Sequence, residues 1–149
     1  METQVQTQVR LLMEQQAIDL FAIFYRGPML HYGFTVIVFD FGPSGNVAFK
    51  SNLRVGPLCE TMAQVIASFS GGPARLSPRG ITPELLREMA GIAKETQPAG
   101  TGYAIIIGDT SGSAYVSNAV RDDMVRMLEN ELMPKWRLIA ATEAGHERS

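Results

Sequence analysis

The sequence predicts an α+β fold: two diverged α-β-β-α repeats that form one four-stranded antiparallel sheet with helices packed on it, arranged about a pseudo-twofold axis. Three observations lead there. Two short segments dense in β-branched and aromatic residues, 34–41 and 103–107, are each followed by turn formers and a second extended stretch. Amphipathic helical patterns flank both hairpins. A displacement of 66 residues, which carries Ser51 onto Ser117 and Asn52 onto Asn118, lays the second hairpin and its following helix over the first.

The elements follow in chain order. Between about Thr7 and Tyr25, Leu11, Leu12, Ile18, Phe21, Phe24 and Tyr25 recur at helical spacings, and Arg26-Gly27-Pro28 ends the helix. Residues 34–41 read as a strand, 42–46 as a turn and 47–51 as the return strand. Pro57 opens a second helix that runs to about Ser70, with Leu58, Met62, Val65, Ile66 and Phe69 on one side. The stretch 70–82, rich in Gly, Pro, Ser and Arg, reads as the linker between the halves.

Thr82-Pro83-Glu84 is a helix start, with a capping hydroxyl, proline at the first position and an acid at the positive end of the helix dipole. That helix carries Leu86, Met89 and Ile92 to about Thr96, and Gln97-Pro98-Ala99-Gly100 stops it. Strand 103–107, turn 108–112 and strand 113–117 complete the second hairpin. The last helix spans roughly Val120 to Ala140, with Met124, Met127, Leu128, Leu132, Trp136 and Ile139 near one face and a kink expected at Pro134. Residues 142–149 are expected to fray. One domain of 149 residues is thus divided into a first repeat over about 7–70 and a second over about 82–141.

The repeat is carried by pattern more than identity. With no gap, the 66-residue shift sets Gly108 on Gly42, Ile105 on Phe39, Ile107 on Phe41 and Tyr115 on Phe49. It then sets Met124 on Leu58, Leu128 on Met62 and Leu132 on Ile66 in the following helices. One such unit has an apolar sheet face that it buries poorly alone, so two units pairing edge to edge explain the four strands.

Composition narrows the function. The net charge is −2, with six basic against five acidic residues in 1–80 and seven against ten beyond, so nucleic-acid binding by bulk electrostatics is not expected. Gathering Lys50, Arg54, Arg75 and Arg79 on one face would be needed for it. A single cysteine, Cys59, leaves no internal disulfide and fits a reducing compartment. No apolar run approaches the roughly 20 residues of a membrane span, and the N-terminus lacks a secretory pattern, so a cytoplasmic location is expected.

The chemistry-bearing residues are sparse. His31 and His146 are the only histidines, which leaves no triad and no multi-histidine metal site, and no cofactor is expected. Neither glycine-containing turn precedes a helix with the lysine that a phosphate-binding loop requires. Asp122 and Asp123 suit the start of the last helix. Cys59 lies in the first turn of a helix, where a thiol pKa can fall.

The repeated Ser-Asn is the one local feature that could bind something. Ser51, Asn52, Ser117 and Asn118, with Tyr103, Tyr115, Arg54 and Arg121, would line a ligand pocket if the two repeats met around them. Their plainer role is to end strands and satisfy the first amides beyond.

Residues 115–124, Tyr-Val-Ser-Asn-Ala-Val-Arg-Asp-Asp-Met, preceded by the 108–112 turn, resemble a pattern in short uncharacterised proteins encoded by bacteriophages and prophages. The resemblance covers a fifth of the chain or less and implies an origin, with no activity and no site residues. The first copy departs from it after Asn52. The expectation is a small non-enzymatic binding or interaction module, homo-oligomeric and possessed of a phage accessory role, with the first and last helices as contact surfaces. A ligand sensor or enzyme with a pocket between the repeats is the alternative.

Overall fold

The computed structural model describes residues 3–40, 46–69, 77–97, 101–109, 112–119 and 121–148, and the side chains of 69, 121 and 144–148 lie outside this description. The elements are α1 (Gln4–Phe24), a 3-10 turn (Gly27–His31), β1 (Gly33–Asp40), β2 (Val47–Ser51), α2 (Val55–Phe69), α3 (Pro83–Thr96), β3 (Thr101–Asp109), β4 (Gly112–Ser117), α4 (Arg121–Met127) and α5 (Met133–Arg148), with a π-helical turn over Leu128–Leu132. Most of the first hairpin turn, the linker segment 70–76 and the tip of the second turn lie outside the described residues.

Helices pack on a four-stranded antiparallel sheet, as expected, in the order β2-β1-β3-β4. The chain divides into two compact units, one of residues 1–52 and 76–119 and one of 53–75 and 120–149. Each unit draws a segment from both halves of the sequence, so the two units are not the two repeats; the chain passes between units at 75–76, inside the stretch read as the linker, and also at 52–53 and 119–120.

The first unit holds the sheet, α1 and α3. β1 pairs with β3 from Gly33↔Gly108 to Asp40↔Thr101, and this central pairing joins the two hairpins. Strand alternation sends Phe34, Val36, Val38, Tyr103, Ile105 and Ile107 to one face, where they share a core with Met13, Ala17, Leu20, Phe21 and Phe24 of α1 and Met89 and Ala93 of α3. Ile37, Phe39, Ala104 and Ile106 lie on the opposite face and are buried too. The near-continuous apolar runs of β1 and β3 are those of strands apolar on both sides.

One close approach dictates a residue in this sheet. Gly102 stands opposite Phe39, and a Cβ there would overlap the Phe39 ring, so the ring covers bare backbone.

α1 begins three residues earlier than expected because Thr3 caps it. The Thr3 hydroxyl accepts from Gln6 N–H at 3.1 Å while Thr3 N–H donates to Gln6 Oε1 at 2.7 Å, a reciprocal capping box. Its buried face also differs from the expected stripe. Phe21 and Phe24 are buried, but their companions are Met13, Ala17 and Leu20, while Leu11, Leu12 and Ile18 face outward. The helix carries two apolar sides, and only one can meet the sheet.

The 77–82 segment is more ordered than a spacer. Ile81 is buried in the core, its N–H donates to Pro78 O at 3.0 Å, and Ser77 Oγ donates to Ile81 O at 2.8 Å. Tyr32 Oη donates to the Arg79 carbonyl. Gly80 has φ +92°, and a Cβ there would press on the Tyr32 hydroxyl, so both its conformation and its space favour glycine.

The second unit is helical. α2 packs against α5, with Leu58, Met62 and Val65 buried on one side and Met124, Met127, Leu128, Leu132, Met133 and Trp136 on the other. α2 starts at Val55, two residues before Pro57. Proline is tolerated there because the first-turn amides have no intrahelical partner.

The kink expected at Pro134 takes the form of the π turn just before it. Proline has no N–H to give the carbonyl four residues back, and its ring would collide with that carbonyl in an α-helix. Met133 N–H instead donates to Leu128 O, five residues back. The extra residue also corrects the helix phase. A regular helix continuing from Met124 and Leu128 would bring Glu131 and Lys135 to the core, whereas the π turn brings Leu132 and Trp136 there and leaves Glu131 and Lys135 exposed. The tail expected to fray is helical through Arg148.

Candidate functional site

The Ser-Asn pairs end β2 and β4 and act on the backbone. Asn52 Oδ1 accepts from Phe34 N–H at 2.8 Å, and its Nδ2 donates to Tyr32 O at 2.9 Å and Tyr25 Oη at 3.0 Å. Asn118 repeats the arrangement: its Oδ1 accepts from Tyr103 N–H at 2.9 Å and its Nδ2 donates to Thr101 O at 3.3 Å. In each case a side-chain amide stands in for the next backbone amide of the ladder while the chain turns away from the strand. Ser51 Oγ lies 2.9 Å from Thr35 Oγ1. Ser117, opposite Ala104, has no such hydroxyl to meet, so it donates to Tyr103 O at 2.8 Å and accepts from Ala119 N–H at 3.1 Å.

The structure does not bring the two Ser-Asn pairs together. Phe34, held by Asn52, pairs with Ile107, whereas Tyr103, held by Asn118, pairs with Val38. Four residues along the strands and three strand spacings across set the two asparagines about 20 Å apart. Tyr103 is buried on the α3 side, its Oη donating to Ala90 O at 3.3 Å, while Tyr115 sits opposite Ile106 on the other face. Arg54 is exposed ahead of α2, and its carbonyl accepts from Leu58 N–H at 2.9 Å. Arg121 opens α4, and its side chain lies outside the described residues.

Loss of an asparagine latch is therefore expected to read out as stability. Asn118→Ala removes two hydrogen bonds and strands the amide of buried Tyr103, a loss of about 1–3 kcal/mol. Asn118→Asp keeps the acceptor and is expected to lose less. Urea unfolding of both variants is the check, and an unchanged midpoint for Asn118→Ala would remove the latch from the account.

Cys59 is not set up as a nucleophile. Burial pushes its thiol pKa up, with Arg137 pulling weakly the other way, and burial likewise raises the Tyr103 phenol. Both groups stay protonated in the folded protein beyond their ordinary values of 9.0 and 10.0. The unfolded chain then binds fewer protons, so the stability linked to these two groups is fully present below about pH 9 and falls as pH rises through each folded pKa. Tyr103→Phe is expected to flatten the upper part of that fall, as measured by thermal unfolding between pH 8 and 11.

Among the described residues no group of three or more His, Cys, Asp or Glu could hold a metal ion, and no helix is long and apolar enough to cross a membrane. What stands out is apolar exposure on α1. Val5 is 68 % exposed, Leu11 51 %, Leu12 60 % and Ile18 44 %. Val5 and Leu12 form one row of heptad spacing and Leu11 and Ile18 another, with exposed Gln8 and Gln15 between them. This face is directly opposite the Met13-Ala17-Leu20-Phe24 face that meets the sheet. Gln15 Nε2 donates to Asp19 Oδ1 at 2.8 Å, and Arg10 pairs with Glu14 at 3.1 Å on the flank.

Leu11, Leu12 and Ile18 are legible in the sequence as apolar helix positions, but not as outward ones. Val5 escapes a reading that starts the helix at Thr7. The signal that could have found it is the Thr3-Gln6 capping box.

The chain matches no family model, no curated protein and no solved structure.

Proposed function

We propose that this protein is a small non-enzymatic interaction module that works as a homo-oligomer, with the outer face of α1 as its contact surface. One observation carries the reading: four large apolar side chains are exposed along a single 21-residue helix whose other face is already committed to the sheet. Scattered apolar exposure is ordinary, but four large apolar side chains on one side of one helix make a patch of the kind that a partner surface covers. A ligand pocket lined by both Ser-Asn pairs draws no support, because the two pairs are far apart and occupied with backbone.

The same reading takes the two halves as diverged copies related by a pseudo-twofold. The matched asparagine latches support it. So does the ladder, with one amendment: the offset is 69 residues between Thr35 and Ala104 but 66 between their partners Ser51 and Ser117. The difference falls in the hairpin turn, so the copies correspond with a three-residue gap there. The cytoplasm and a phage accessory role complete the proposal, supported by the lone cysteine and by the 115–124 segment respectively.

Light scattering after size exclusion across a hundredfold range of concentration tests the function. The wild-type chain is expected to shift from monomer towards dimer as concentration rises, and Leu11→Gln with Leu12→Gln is expected to abolish the shift without loss of helical circular dichroism. A strict monomer at every concentration would overturn it.

A further inference from the structure

We draw no further inference here: the strongest candidate, the outer face of α1, belongs to the contact surface already described, and nothing in the structure shows what covers it.

Discussion

Phe34→Ala is expected to lower the free energy of unfolding by about 3–5 kcal/mol, the range for emptying a buried aromatic site. Phe34 is fully buried, and its ring meets Phe21 edge-on at 5.5 Å and stacks on Tyr25 at 6.1 Å, with Phe24 at 6.5 Å. Two of these neighbours sit on α1 and the third, Tyr25, caps it, so the truncated side chain leaves a cavity that α1 cannot close without giving up its own packing. The backbone at this point is also pinned by Asn52, which opposes local collapse. In a chain of this size the loss corresponds to a fall in Tm of about 10 °C or more. Thermal unfolding by far-UV circular dichroism measures it, and a fall below about 3 °C would mean that α1 is not held by this cluster. Trp136 is the only tryptophan, so its fluorescence reports the second unit separately in the same experiment. Coincident transitions by the two probes would mark the units as one cooperative system.

Trp136→Ala is expected to lose a similar amount, about 3–5 kcal/mol. The indole is fully buried in the helical unit, on the turn that follows the π segment. Its place in the core depends on the one-residue phase correction before Pro134, so the largest side chain of the unit and its least regular backbone are two parts of one arrangement. Trp136→Phe keeps part of the apolar volume and is expected to lose distinctly less. Guanidinium unfolding followed by circular dichroism compares the two variants, and equal losses would show that the site responds to the indole itself and not to volume.

Much of the architecture is legible in particular residues. The dense Val, Ile and Phe run of 34–39 and the Ile run of 105–107 name two strands, and their lack of alternation fits the burial of both faces that the fold gives them. Thr82-Pro83 names the start of α3 to the residue, because a cap and a proline at the first helical position act locally. The Ser-Asn repeat is legible as a pair of equivalent strand ends. Its role is decided by hydrogen bonds to Phe34 and Tyr103, which lie 18 and 15 residues away and leave no trace in local pattern.

The candidate contact surface was half visible. Apolar residues on α1 outnumber those one face can hold, and periodicity says how many rows exist without saying which row the sheet takes. The deciding quantity is the fit of Met13, Ala17, Leu20 and Phe24 against β1 and β2, a match of shapes across the fold.

What the sequence determined by itself is what short-range physics controls: element type, from periodicity; element ends, from Pro28, Thr82 and Gln97; and the α+β class, from two hairpins each flanked by helices. The order β2-β1-β3-β4, the outward turn of Leu11, Leu12 and Ile18, and the π turn before Pro134 were decided only in the tertiary structure. Each of these depends on which apolar surfaces meet, and the free energy of that choice is spread over residues far apart in the chain, so no local window contains it.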